Sequence, residues 1–244
     1  MTAPIRASWH VGRVDGKRAE TSSAARIELD IPTWPGNHAG SHLDIRLTAP
    51  DGYQASRSYS IASSGPTTRV VLAVEELSAG EVSPYLVHQL AEGDQLEVHG
   101  PLGRYFVWIP TEDDPSPVQL IAGGSGVVPL FAMAMARERE TDHADFRLLY
   151  STRAPEDVFF AAELAGLTQT FVDIVHTRRS PPGSPRPPGR LTQESLADYV
   201  FPASTTPRIF LCGPTPFVET IANWLLQLGH DPTRIRTERF GGTE

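Results

Sequence analysis

Four short stretches of this chain bring together residue types that could handle a phosphate and a flat redox ring. The first is Arg57-Ser58-Tyr59-Ser60, which offers a guanidinium for a phosphate, an aromatic side chain for a planar ring and hydroxyls for a ring nitrogen, all within four positions. An ordinary half-exposed strand would carry the same letters, and its alternation would put Arg57 and Tyr59 on one face and Ser60 on the other. The second is Gly123-Gly124-Ser125-Gly126, between the apolar run PVQLIAGG and a helical pattern beginning near Val127. Glycines there let backbone approach a pyrophosphate, and a following helix would offer free N–H groups and a favourable dipole. A plain strand-to-helix turn is the other reading, because the spacing is not GxGxxG. The third is Gly80-Glu81-Val82-Ser83, a glycine turn entering a helical stretch, which serves either an anion or a simple cap. The fourth is Cys212-Gly213-Pro214 at the end of an apolar run, where ligands of open α/β sheets lie, although a lone Cys there is more often a small buried filler.

These stretches need two kinds of scaffold. Up to about residue 100, WHVGRV, ARIELDI, HLDIRLTA, RSYSIAS, RVVLAVEEL and QLEVHG alternate apolar with polar residues between Gly, Pro and Asn/Asp turns, which predicts an antiparallel β-barrel. One helix is expected in it, SPYLVHQL, with Ser83 as the capping residue and Pro84 in the favoured first position. The acidic, proline-containing TEDDPSP at 111–117 reads as a domain boundary. Beyond it, strands alternate with helical patterns as in a parallel sheet wrapped by helices: PVQLIAGG, VVPLFAMAMARERE, DFRLLYS, FFAAELAG, TFVDIVH, RIFLCGP, FVETIANWLLQLGH and RIRTERF. Residues 180–190, SPPGSPRPPGR, are too rich in Pro and Gly for a regular element and read as a mobile surface loop. The expected division is 1–111 and 116–244.

Composition narrows the partners. A net charge of −8 argues against a nucleic-acid partner, and no apolar run reaches the roughly 20 residues that cross a bilayer. With no signal-peptide layout at the N-terminus, a cytoplasmic, monomeric protein is expected. One cysteine, Cys212, leaves no internal disulfide and no cysteine-held iron–sulfur cluster, and no metal site is expected. Lys17 is the one lysine among 21 basic side chains, so a phosphate held by a side chain is held by arginine.

RSYS, GEVS, GPLG at 100–103, GGSGVVP, CGP and ERF near the C-terminus together resemble, in sequence order, the motifs of the ferredoxin-NADP(+) reductase family. The resemblance covers residues from about 8 to 241. It implies an FAD-binding Greek-key barrel followed by a Rossmann-like NAD(P)-binding domain. Arg57 would contact the flavin pyrophosphate, Ser58 would belong to the same segment, Tyr59 would lie against the isoalloxazine and Ser60 would bond near N5. Gly80, Glu81, Val82 and Ser83 would hold the flavin phosphates. Gly124, Ser125 and Gly126 would receive NAD(P)H, Cys212 would sit beside the nicotinamide, and Gly213 and Pro214 would follow it in the same contact. Glu238 and Phe240 match the closing E-x-aromatic, whose carboxylate lies close to the flavin and whose ring can cover it. Four residues follow Phe240, which departs from the plant-type pattern and leaves its stacking open between that role and a core aromatic.

The implied reaction is hydride transfer from nicotinamide C4 to flavin N5, with Ser60, Cys212 and Glu238 orienting the rings. Arg153 and Arg178, which follow predicted strands, lean toward NADPH, because a guanidinium suits a ribose 2′-phosphate. With no room for an iron–sulfur or heme domain, the electrons are expected to go to a separate redox protein, such as a ferredoxin, an oxygenase or another metal-cofactor oxidoreductase. The alternatives are a reductase of a small diffusible acceptor (free flavin, a ferric chelate or a quinone) and a non-catalytic nucleotide-binding regulatory subunit.

Overall fold

A computed structural model describes residues 6–110, 114–140 and 144–241. The chain divides into two compact units, 1–108 and 109–244. Residues 111–113 of the expected boundary segment, and 242–244 after Phe240, lie outside the described residues.

The first unit is a six-stranded antiparallel sheet of β1 (Ser8–Thr21), β2 (Ala24–Asp30), β3 (His42–Thr48), β4 (Gln54–Ser60), β5 (Arg69–Glu75) and β6 (Gln95–Leu102). Their order is β4-β3-β6-β1-β2-β5, so the sheet neighbours are mostly not neighbours in sequence. The two edges meet where Ile61, just past β4, bridges Leu72 of β5, and the Ala62 N–H donates to Val71 C=O at 2.7 Å. That closes the sheet into a barrel, as expected. The alternation is what fills it. Ile27 and Leu29 of β2, Leu43 and Ile45 of β3, and Val70, Leu72 and Val74 of β5 all point inward and are essentially inaccessible.

The barrel's helix differs from expectation. It is a π-helical turn, Tyr85–Gln89, preceded by Pro84 with no side-chain cap. The Ser83 hydroxyl turns back instead and accepts from the Leu77 N–H at 3.0 Å, so this buried hydroxyl is partnered in the preceding turn and not by the helix.

The second unit is a parallel sheet of β7 (Val118–Gly123), β8 (Phe146–Thr152), β9 (Thr170–His176), β10 (Arg208–Pro214) and β11 (Ile235–Phe240), in the order β11-β10-β7-β8-β9. β7 lies at the centre and is buried along its whole length, which explains why it is apolar except for Gln119, whose amide is satisfied by the Leu120 and Arg147 carbonyls and the Phe201 N–H. Helices α1 (Val127–Arg137) and α4 (Thr215–Gln227) follow β7 and β10, with short helices α2 (Ala161–Ala165) and α3 (Gln193–Ala197) between. α3 was not expected; Thr192 and Ser195 cap it reciprocally. Strand order reverses between β7 and β10, and ligands of such sheets bind outside the carboxyl ends at that point. Residues 180–190 form turns without regular structure and are mostly exposed.

Candidate cofactor-binding sites

β4 carries the first candidate site. Ala55 is buried in the barrel and Tyr59 packs against the same core, so the odd-numbered residues of this strand share one face. Burial pushes the Tyr59 phenol up to about 12, with Arg57 pulling the other way. Ser58 lies on the opposite face and donates to Asp44 Oδ1 of β3 at 2.6 Å. Ser60 stands opposite His42 in the β3–β4 register.

Arg57 leaves the barrel face with about half its side chain exposed, and its Nη2 donates to Glu81 Oε2 at 3.0 Å. Its Nη1 donates to the Ser56 carbonyl at 2.7 Å. Tyr53, which the sequence reading did not single out, donates its hydroxyl to Glu81 Oε1 at 2.9 Å. Two motifs 24 residues apart in sequence therefore meet at one carboxylate. Gly80 has to be glycine here, since a Cβ would fall 2.9 Å from the Leu77 carbonyl oxygen and 3.1 Å from Ser83 Oγ. Val82 is fully buried and offers a ligand only its backbone.

In the second unit, β7 runs into a 3₁₀ turn, Gly124–Gly126, that opens α1. The glycines there do different things. A Cβ on Gly123 would meet the Phe217 ring at 2.6 Å, and one on Gly126 would meet the Cys212 carbonyl oxygen at 2.4 Å. Both are packing glycines, which let β7, β10 and Phe217 of α4 close on one another. Gly124 alone of this turn has open space at its Cβ position and a left-handed backbone, φ +55°. Ser125 beside it is part-exposed.

Cys212 is 2% exposed, in register with Ala122 of β7 on one side and Glu238 of β11 on the other. Burial pushes its thiol pKa well up and the Glu238 carboxylate adds to the rise, so Cys212 is a neutral thiol. Gly213 also lacks room for a Cβ, with Phe217 at 2.8 Å. Pro214 is exposed, and Phe240, its register partner on β11, is 36% exposed.

Arg153 and Arg178 follow β8 and β9, both exposed, and neither guanidinium has a partner among the described residues. Their backbones meet, the Arg178 N–H donating to the Arg153 carbonyl at 2.9 Å. Arg179 pairs instead with Glu156. Beside them a cleft of about 360 Å³ opens at the carboxyl ends of β8, β9 and β10, lined among others by Ser151, Thr177, Arg190, Pro214, Phe217 and Trp224. Arg190 and Trp224 were missed in the sequence, one at the end of a Pro/Gly loop and the other within an ordinary helix.

Residues 13–107 match the oxidoreductase FAD-binding domain family and residues 120–223 the oxidoreductase NAD-binding domain family. NADH oxidoreductase HCR of Escherichia coli is 30% identical over 244 residues, with 98% of this chain and 70% of that protein covered. The chain belongs to the ferredoxin-NADP(+) reductase-like family of flavoprotein reductases. The reductase subunit of a glycine betaine monooxygenase from Chromohalobacter salexigens is likewise 30% identical, over 86% of this chain, and the chain spans 56% of its length. Phthalate dioxygenase reductase, described as a modular structure for electron transfer from pyridine nucleotides to [2Fe-2S], superposes with a TM-score of 0.75 at 27% identity, covering 97% of this chain and 69% of that one.

The family assignment matches a flavin-binding barrel followed by a nucleotide-binding parallel sheet. Among the described residues no cluster of three or more His, Cys, Asp or Glu is arranged to hold a metal, and no helix is long and apolar enough to cross a membrane. In the first unit the structure brings Arg57 and Glu81 together and keeps Ser58 on the other face. In the second it brings Cys212 and Glu238 together and gives Gly126 to packing.

Proposed function

We propose that this chain is an FAD-dependent NAD(P)H oxidoreductase that passes electrons to a separate redox protein, a ferredoxin, an oxygenase or a related metal-cofactor enzyme. Residues 1–111 carry the flavin and 116–244 the pyridine nucleotide. The observation that carries the reading is the meeting of Arg57 with the Gly80–Ser83 turn. The pair leaves a half-exposed guanidinium at a glycine turn, a cation that water and a flavin phosphate can both reach.

A bound FAD would supply the redox chemistry, taking up a hydride from reduced nicotinamide and giving electrons onward. The side chains bind and orient. Arg57 would hold the pyrophosphate together with the backbone of Gly80, Glu81, Val82 and Ser83, Tyr59 would pack against the flavin ring, and Ser60 would offer its hydroxyl to it. In the second unit, open Gly124 with Ser125 admits the nucleotide pyrophosphate, and Pro214 and the cleft with Trp224 and Arg190 take the adenosine half. Cys212, a neutral thiol, packs beside the nicotinamide with Gly213 and serves as neither nucleophile nor base. Glu238 sets the field at that thiol, and Phe240, exposed on the last strand, is free to cover a ring. The unpaired Arg153 and Arg178, with Arg190, favour NADPH through its 2′-phosphate. Relatives named as oxygenase reductase components support a protein acceptor. A monomer in the cytoplasm, where reduced pyridine nucleotide is supplied, completes the proposal.

The purified protein should be yellow, release FAD on denaturation and bleach when NADPH is added without oxygen. Arg57→Gln should lose most of its FAD while keeping the fold. A colourless protein that takes up no added FAD, or an Arg57→Gln variant that holds FAD as the parent does, refutes the assignment.

A further inference from the structure

The geometry points to Glu81 as a built-in competitor of the flavin phosphates for Arg57, which makes flavin loading readily reversible. The inference rests on the flavin reading above and adds to it a role for a side chain that a phosphate-binding segment should avoid.

An aspartate or glutamate beside a pyrophosphate repels it, yet Glu81 lies in the very turn assigned to the flavin phosphates. Its Oε2 accepts from Arg57 Nη2 at 3.0 Å, so one oxyanion already sits on the guanidinium. Two features make this competition and not positioning. First, Arg57 is anchored independently through its Nη1 to the Ser56 carbonyl at 2.7 Å, so it keeps its direction when the carboxylate leaves. Second, Glu81 is held from its other oxygen by the Tyr53 hydroxyl at 2.9 Å, so it stays near when Arg57 turns to a phosphate. Glu81 draws the Tyr53 phenol pKa upward, chiefly through that hydrogen bond, as expected of a donor that keeps its proton beside an anion. The Arg57 and Glu81 side chains are each about half exposed, so the pair is weak enough to exchange and water reaches both. Flavin binding then replaces one charge-assisted contact with another, and the displaced carboxylate remains as a like charge a few ångströms from the phosphates.

The test compares apoprotein of the parent, Glu81→Gln and Arg57→Gln, each titrated with FAD and with riboflavin by flavin fluorescence at low salt. Removing one unit charge about 5–6 Å from a phosphate at a solvated site is expected to tighten FAD binding about three- to tenfold. Riboflavin, which carries no phosphate, should bind both proteins alike, and the FAD advantage should shrink as salt rises. Glu81→Ala must move FAD affinity in the same direction. An FAD affinity that is unchanged or weaker in Glu81→Gln, or riboflavin tightening in parallel, overturns the competition. Full FAD binding by Arg57→Gln would instead overturn the flavin reading itself, whatever Glu81 does.

Discussion

Alanine at Gly126 and at Gly124 should have opposite consequences, although the two lie two residues apart in one turn. Gly126 has φ −62° and ψ −8°, a conformation alanine prefers, so backbone strain predicts no penalty there. Space does. The added Cβ would lie 2.4 Å from the Cys212 carbonyl oxygen, 2.5 Å from its carbon and 2.7 Å from the Gly213 nitrogen. Ordinary contact begins at about 3.4 Å, so the turn and β10 have to part by about 1 Å, and the obstacle is backbone of an interior strand that cannot rotate away. Overpacking of this kind costs about 3 kcal/mol, the upper part of its usual range. For a chain of this size that lowers Tm by roughly 6–12 °C. Gly124 meets nothing within 4 Å, and alanine there carries only the left-handed backbone penalty of φ +55°, about 1 kcal/mol or roughly 2–4 °C. Its methyl, however, projects into open space at the proposed pyrophosphate site. Thermal unfolding by circular dichroism, with steady-state NAD(P)H oxidation using ferricyanide as acceptor, separates the two. Gly126→Ala should lose stability first; Gly124→Ala should keep most of it and raise KM for the nucleotide about tenfold. A Gly124→Ala protein that melts as low as Gly126→Ala, or a Gly126→Ala protein with the parent's Tm, refutes the division of labour.

Other consequences are accessible to simple measurements. Cys212, buried and with its thiol pKa raised by burial and by Glu238, should react with Ellman's reagent at least a hundredfold more slowly in the native protein than after denaturation. A native rate like that of free cysteine would contradict this. His42, His176 and His230 each have a ring nitrogen buried without a partner among the described residues, and burial lowers the pKa of all three, with Asp44 opposing the shift at His42. The unfolded chain takes up these protons near pH 6.5 and the folded one resists, so their contribution is present above that pH and is lost as pH falls below it. The urea midpoint should therefore drop between pH 7 and 5; a flat profile would show that the burial does not persist in solution. Arg178→Ala should raise KM for NADPH and leave that for NADH alone, and equal effects on both would remove Arg178 from the ribose phosphate.

Much of the scaffold was legible because burial on one face leaves a period in the sequence. β2, β3 and β5 alternate with their inward residues near zero exposure, and central β7 is buried throughout and apolar except at Gln119. The outer half of β1 left no such trace. Residues 15–21, DGKRAET, are polar on both faces and are held as strand by the β2 ladder, with register shifts at Val14/Gly16 and Ala19/Thr21. α3, with five residues, is too short to show a helical period. Ser83 looked like a cap because its letter and place suit one, but its hydroxyl bonds the Leu77 N–H six residues back, a partner that the capping pattern does not record. The Arg57–Glu81 pair is illegible for another reason, since it joins a strand to a turn across folded barrel and no local pattern records it.

The glycine turn shows how far motif reasoning reaches. The sequence says that residues 123–126 are nearly all glycine and leaves open whether the cause is a ligand or a neighbour. The structure answers residue by residue: Gly123 makes room for Phe217, Gly126 makes room for Cys212, and Gly124 alone of the three has no neighbour within 4 Å among the described residues. The first two depend on α4 and β10, about 90 residues further along, so their cause could not be read locally. The vacant third is the position where backbone can meet a ligand. The same reasoning sorts the arginines. Arg147 on β8 is bound to Asp173 and Arg208 lies beside Asp114, whereas Arg153 and Arg178 extend from strand ends with no partner among the described residues. A side chain or a gap that the fold does not use is where a ligand's contribution has to be sought. By that criterion Gly124, Arg153, Arg178 and the cleft at Trp224 are the positions at which the proposed nucleotide site is to be tested, with Cys212 entering it only as a buried, neutral thiol.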